Sequence, residues 1–518
     1  MAPQYLSPGV YVEEVERGAR PIEGVGTAVA AFVGFAEQGP VNQPTFIANW
    51  SQFASIFGEF LPGGYLAHAV YGYFNNGGGS CYVTRLLDVE KAEEAEPKAQ
   101  VSLPTSADPS LETLVITALK PGVSEGDITV EVTKPAEAAE DEFNLIVRRG
   151  AAEEVFENLT LKKGKGVRNV VEVVNKESKL IRVAERETTL SLPERVPAAA
   201  SYALAIPETK AVAGKPISAD VIVGDAAERS GVNGFEAADD VTMVCVPDLM
   251  ALHQAGRLSL EGVKAVQQAM LDHCANMKDR FAILDCPQGM NPQQVKDWRV
   301  NDAGYDSKYG AVYYPWIKIA NPLGNGEAVL VPPCGHIAGI YGRSDTERGV
   351  HKAPANEIVR GALGLENQIT KSEQDSLNPE GINCIRTFPG RGVRVWGART
   401  LSSDAQWRYI NVRRLFNFIE ESIERGTQWI VFEPNDMDLW QRIKRDITAF
   451  LTRVWRDGAL FGATPAEAFY VKCDEELNTV EVRDAGQVII EIGLAPVKPA
   501  EFVIFRISQW AGGGAVSE

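Results

Sequence analysis

No run of about 18 uninterrupted apolar residues occurs in the 518-residue chain, so no segment suits a membrane-crossing helix. The opening MAPQYLSPGVYVEEVERG has neither the basic start nor the apolar core of an export signal, and the expectation is a protein made and folded in the cytosol. Cysteine is sparse and scattered. Cys81, Cys245, Cys274, Cys286, Cys334, Cys384 and Cys473 contain no C-x-x-C pair, which argues against a disulfide framework or a zinc site and leaves reduced core thiols. Histidine is scarcer still: His68, His253, His273, His336 and His351 show no H-x-x-x-H or H-E-x-x-H spacing, so no metal site is expected. The Gly-rich NNGGGS lacks the G-x-x-x-x-G-K-[ST] pattern, and GRGVRVWG at Gly390 to Gly397 does not match G-x-G-x-x-G, so phosphate binding and a nucleotide cofactor are unsupported. No G-x-S-x-G elbow offers a nucleophilic serine. Positive charge is in deficit, with 51 Lys and Arg against 69 Asp and Glu and a formal net charge of -18, which repels nucleic acid and anionic membranes.

What is present is the composition of a folded globular chain, 45% hydrophobic and 23% charged, long enough for about two to four domains. PGVYVEEV, from Pro8 to Val15, reads as a β-prone arm after a Pro-Gly turn. TAVAAFVGF reads as a buried strand, followed by a helical pattern through Trp50, Phe53, Ile56 and Phe57, a helix ending at NNGGGS, and a strand at CYVTRL. Composition shifts near Asp88 to Glu, Lys, Ala and Pro, with short alternating runs LVITAL, ITVEVT, FNLIVRR and LIRVAE. This predicts an inserted β-rich unit running to about Pro216. The α/β pattern returns as strand VTMVCVPDL, a helix from about Ser259 to Lys278 and strand FAILDCP, one βαβ unit and hence a parallel sheet. Two amphipathic helices follow: one from a Ser403 cap to Gly426, the other from an Asn435 cap through Leu439, Trp440, Ile443, Ile447, Phe450, Leu451 and Val454 to Gly458. Strands AFYVKC and QVIIEIGLAP precede a nearly all-apolar run, Phe502 to Ile507, at the far terminus, so both ends carry β-prone arms.

Asp248 and Asp285 follow predicted parallel strands, where α/β enzymes place acids and bases, but strand-end aspartates are more often caps. One segment runs against the overall charge: Arg386 to Asp457 holds thirteen Lys or Arg against nine Asp or Glu. An ordinary charged helix face is the common cause of such a run, and a surface meeting an acidic partner is the functional reading.

Several blocks together carry a resemblance: YLSPGVYVEEV, FVGFAEQGP with SQFASIFGEF, LAHAVYGYFNNGGGSCYVTRL, YGAVYYPWIKI with VPPCGHIAGIYGRSDTERGVHKAPANE, and YINVRRLFNFIEESIERGTQWIVFEPND with LWQRIKRDITAFLTRVWRDGALFGATPAEAFYVKCD. They resemble the tail sheath proteins of contractile phages and related bacterial injection systems. The resemblance implies a multidomain α/β chain that is structural, not enzymatic. Its parts would be an N-terminal linker arm (1–24), a subtilisin-like α/β core without a catalytic triad (25–88 and 217–370), an inserted β-rich exposed domain (89–216), an α+β C-terminal domain (371–498) and a C-terminal linker arm (499–518), the arms being exchanged between subunits. Its partners would be copies of itself in stacked, hexameric rings of a helical array, an inner tube, and baseplate and terminal cap proteins. Nucleic acid, membrane insertion, cofactors and metals have no place in that scheme, and assembly is expected in the bacterial cytoplasm as part of a phage tail or tail-like particle.

Two sets of residues carry specific expectations. Val10, Tyr11, Val12 and Val15 with Phe502, Val503, Ile504, Phe505 and Ile507 are expected to pair with the C-terminal domain of adjacent subunits. Arg442, Lys444, Arg445, Arg453 and Arg456 are expected to face the tube. The competing readings are a hydrolase using Asp285 or His336, and a soluble binding module that does not polymerise.

Overall fold

A computed structural model describes residues 21–87, 99–109, 111–119, 126–135, 141–150, 152–162, 164, 167–186, 190–205, 217–324 and 327–507. The chain divides into two compact units, one of residues 1–87 with 217–518 and the other of residues 88–216. The larger unit begins with β1 (Val29–Phe35), β2 (Thr45–Ile47), α1 (Trp50–Phe57), α2 (Leu66–Asn75) and β3 (Ser80–Leu86). Asn49 caps α1 by accepting the Gln52 N–H at 2.9 Å, which explains why the aromatic pattern becomes a helix at Trp50.

The smaller unit is antiparallel. It holds β4 (Gln100–Pro104), β5 (Glu112–Ala118), β6 (Thr129–Thr133), β7 (Glu142–Arg149), β8 (Ala152–Thr160), α3 (Val170–Glu177), β9 (Ile181–Glu185) and β10 (Ser201–Ala203). These strands form two sheets, in the orders β10-β6-β7-β8 and β4-β5-β9. Period-two alternation does the work here: Phe143, Leu145 and Val147 of β7 point into a core shared with Val130, Val132, Leu114 and Ile116.

The larger unit resumes with β11 (Met243–Cys245), α4 (Leu260–Met277), β12 (Phe281–Asp285), β13 (Gly310–Tyr314), β14 (Ile317–Ala320), β15 (Ala328–Val331), α5 (Cys334–Arg348), β16 (Ala362–Leu365), β17 (Ile382–Phe388) and β18 (Gly392–Val395). Eight strands make one sheet in the order β18-β17-β13-β12-β11-β1-β3-β2, parallel except for β18 and β2 at its two edges. Continuous apolar strands are what a sheet covered on both faces requires. Ala31, Val33, Val244 and Leu284 enter the layer under α4, while Ala30, Phe32, Cys245 and Ile283 enter the layer under α2 and α5. The sheet runs past residue 370, the expected end of the core. β17 pairs parallel with β13 through Val312, Tyr313 and Tyr314, so this edge of the core is made by residues 382–395.

The C-terminal part holds α6 (Ile410–Thr427), α7 (Met437–Arg456), β19 (Phe469–Lys472) and β20 (Glu491–Leu494), packed around Leu415, Ile419, Leu439, Trp440, Ile443, Ile447, Phe450 and Leu451. Two expected caps are displaced. Ser403 gives its hydroxyl to Asp306 at 2.6 Å and a 3-10 turn intervenes, so α6 starts only after Tyr409. Asp436, not Asn435, accepts the Leu439 N–H at 2.8 Å and caps α7. Asn435 instead accepts the Trp440 indole N–H at 2.9 Å.

Candidate assembly surfaces

The residues considered for catalysis are tied into the backbone. Asp285 ends β12, where its carboxylate accepts the Cys334 N–H at 2.9 Å at the start of α5. Burial pushes its carboxyl up to about 7 against that hydrogen bond. Asp248 accepts the Phe35 N–H at 2.6 Å and the Tyr65 N–H, joining β1 to the start of α2. Both therefore tie distant backbone segments together, and neither caps the helix that follows its own strand. His336 is buried in α5 with no hydrogen-bond partner at Nδ1 among the described residues, and burial, helped by His68, lowers it to about 4. All seven cysteines are buried free thiols. Among the described residues no group of three or more His, Cys, Asp or Glu is placed to hold a metal ion, and no helix is long and apolar enough to cross a membrane.

Polar groups cluster instead around the first and last described residues. The described N-terminal stretch is clamped: Arg453 donates to the Ile22 carbonyl, Val25 N–H donates to the Ser422 hydroxyl at 3.1 Å, and Arg414 donates to the Thr27 carbonyl at 2.8 Å. Beneath this lies a buried ion pair. Arg414 makes two bonds to Asp345, at 2.9 and 2.6 Å, the Thr27 hydroxyl adds a third at 2.7 Å, and Tyr341 lies under the guanidinium at 4.7 Å. The C-terminal root is Glu501, which accepts from Arg399 at 2.8 and 2.9 Å, from Asn378 at 2.6 Å and from Tyr409 at 3.0 Å. Burial opposes ionisation there, but Arg399, Asn378 and Tyr409 hold the carboxyl below its ordinary value.

Past Glu501 the character changes abruptly. Phe502, Val503, Ile504, Phe505 and Ile507 adopt no regular structure and are 68–94% exposed. The first described residues are thus held by polar contacts and by Ile22 buried in the C-terminal core, whereas the run past Glu501 is bare. Val10, Tyr11, Val12 and Val15 lie outside the described residues. Among the described residues β19 and β20 form a sheet of two strands, so each has an outer row of backbone N–H and C=O groups.

The five cations expected to face a tube fall on the outer half of α7, but not equally free. At about 100° per residue, Arg445 and Arg456 stand near the middle of the exposed face, Arg442 and Arg453 on one flank and Lys444 on the other. Arg453 is committed to Ile22, Arg442 pairs with Glu433 at 3.2 Å and lies over Trp429, and Arg445 touches Asp446 at 3.0 Å. Among the described residues Lys444 and Arg456 make no ion pair. The wider cationic run is only partly a surface. Arg413 is buried among Tyr309, Trp407 and Phe416 and bonded to Glu420, and Arg414 is the buried ion-pair member. Sequence counting missed both, because spacing alone does not say which arginine meets an aromatic wall.

The sequence profile of the phage tail sheath protein central domain matches residues 240–401, and that of the phage tail sheath C-terminal domain matches residues 402–509. The chain belongs to the contractile tail sheath family. A curated sheath relative, the tail sheath protein of Burkholderia phage BcepMu, is 25% identical over 531 residues, covering 98% of this chain and 97% of its own length. The tail sheath protein of Salmonella phage ViI is 28% identical over 248 residues, covering 44% of this chain and 37% of its own length. In fold, this sheath chain matches a subunit in the anti-feeding prophage baseplate structure, with a TM-score of 0.58 at 24% identity over 98% of this chain and 99% of that one. It matches the PVC sheath complex of an extracellular contractile injection system in the contracted state equally, with a TM-score of 0.58 at 23% identity over 98% and 99%. The protein is a structural subunit of a contractile tail sheath, and nothing in these likenesses supports the hydrolase alternative.

Proposed function

We propose that this subunit polymerises helically around an inner tube by exchanging its terminal arms with neighbouring copies, and that the sleeve shortens to drive the tube through a target envelope. Two observations support the reading: Phe502–Ile507 is a bare apolar run, and among the described residues β19 and β20 have no third strand beside them. An arm added to such an edge gains backbone hydrogen bonds and alternate side-chain pockets, and it holds through rearrangement as a tether. Contacts of this kind are heterologous and do not close on themselves, so they build stacked rings, read here as hexameric. Val10 to Val15 are assigned the same role at the other end. Clamps at Ile22–Thr27 and at Glu501 transmit tension from each arm to its own body.

In this reading the eight-stranded core is subtilisin-like in topology and carries no reaction. Assembly takes place in the bacterial cytoplasm, with baseplate and terminal cap proteins bounding the stack. The exposed face of α7, led by Lys444, Arg445 and Arg456, meets an acidic tube. Exposed ion pairs contribute at most about 1 kcal/mol each and are screened by salt, which suits a grip that must release. Shortening then requires only an extended lattice trapped above a more compact one. Electron microscopy of protein lacking residues 502–518, coexpressed with its tube partner, tests the exchange: loss of cylinders is expected, and normal cylinders refute it.

A further inference from the structure

The turn between α6 and α7 carries a protrusion that the basic-face reading leaves unexplained. Phe432 is fully exposed, and Val431 and Met437 on either side are 65% and 60% exposed. Its neighbours are held in place. Trp429 and Ile430 pack into the C-terminal core, Glu433 N–H donates to the Ile430 carbonyl at 3.0 Å, and the Glu433 carboxylate binds Arg442 at 3.2 Å. Asn435 accepts from the Trp440 indole at 2.9 Å and donates to the Gln487 carbonyl at 2.9 Å. Phe432 itself has φ +68°, a left-handed conformation that bulky side chains rarely adopt and glycine adopts freely. A fixed turn therefore spends strain to hold an aromatic ring in water, which the isolated subunit gains nothing from.

The protrusion is continuous with the face of α7. Met437 opens the helix on the side of Gln441, Lys444 and Thr448, and the Glu433–Arg442 pair ties the turn to the same helix. Cations on such a face steer and register a partner, whereas short-range affinity concentrates in a few desolvated aromatic anchors. We infer that Phe432, flanked by Val431 and Met437, is the apolar anchor with which α7 seats on the inner tube, entering a depression whose rim is acidic. This rests on the reading that α7 faces the tube. The two are separable because the anchor works at salt concentrations that screen the ion pairs.

The test uses full-length protein and preformed tubes of the cognate tube protein. Phe432→Gly is expected to leave thermal stability unchanged or raised, since glycine relaxes the backbone, and to leave tube-free self-assembly intact. It should weaken cosedimentation with tubes about tenfold or more, including at high salt, with Phe432→Tyr retaining most binding. Unchanged tube binding overturns the proposal. So does a large drop in stability, which makes the ring structural, or a loss of self-assembly with tube binding kept, which makes it a contact between copies. A Lys444→Glu, Arg445→Glu variant runs beside it: if charge reversal is silent while Phe432→Gly still releases the tube, the electrostatic reading fails and the anchor stands.

Discussion

Removing the carboxylate of Asp345 should unclamp the root of the N-terminal segment. Arg414 and Asp345 are each 4% exposed, joined by two short bonds, and the pair also holds the Thr27 hydroxyl and carbonyl. In Asp345→Ala the guanidinium stays buried with its counter-charge gone, and Tyr341 at 4.7 Å offers only its ring face in compensation. Breaking one side of a buried pair costs about 3–5 kcal/mol. At about 1.4 kcal/mol per factor of ten, amide exchange through local opening should accelerate by roughly a hundred- to several-thousand-fold. The assay is hydrogen exchange by mass spectrometry on peptides covering Val25–Ala30, the end of α5 and the start of α6. It reads the local event without requiring the whole multidomain chain to unfold in one step. Replacing both partners, Asp345→Leu with Arg414→Met, should recover most of the loss, because an apolar pair leaves no charge stranded. Exchange accelerated less than about fivefold by Asp345→Ala, or a double variant as open as the single one, would refute the clamp.

Two further outcomes follow from α5. Gly335 and Gly339 face α2 so closely that an added Cβ would lie 2.3 Å from the Ala69 carbonyl oxygen and 2.3 Å from the Tyr73 carbonyl oxygen. The obstruction is backbone, so Gly339→Ala should cost about 1–3 kcal/mol or more and lower the melting temperature of the core, with an unchanged melt counting against this packing. His336 is lowered to about 4, so its neutral form is favoured in the fold. The stability it supports is fully present above the ordinary histidine value near 6.5 and erodes as pH falls from there towards about 4. His336→Gln should flatten that acid slope by about 3 kcal/mol across the window in chemical denaturation, and an unaltered slope would show the imidazole to be already solvated.

Much of the architecture could be read before any coordinates, because buried strands and amphipathic helices announce themselves by period. α4 runs from its Ser259 cap to a left-handed Lys278 as its spacing predicts, and β7 alternates residue by residue. What failed was local competition for hydrogen bonds. Ser403 and Asn435 are as good cap residues as Asp436, but Asp306 claims one and the Trp440 indole claims the other. The edge of the core at β17 and β18 was hidden for a different reason, since strand order is a long-range property and no residue in 382–395 names its partner β13. Of the two proposed surfaces, the apolar run was visible in the sequence and the arrangement of the charges was not. Phe502–Ile507 stands out as an apolar run that no described residue buries, whereas the split of the arginines into buried Arg413 and Arg414 and exposed Arg445 and Arg456 depends on aromatic and acidic neighbours contributed by other segments. Phe432 gave no signal at all, for its meaning lies in a backbone angle.

The most direct test is a high-resolution electron-microscopy reconstruction of the assembled sleeve, with each terminal segment traced to the body it pairs with. The account predicts that residues 10–15 and 502–507 run as strands along the open edges of β19 and β20 in adjacent copies. Both segments folded back against their own subunit, with no strand crossing between copies, would contradict it.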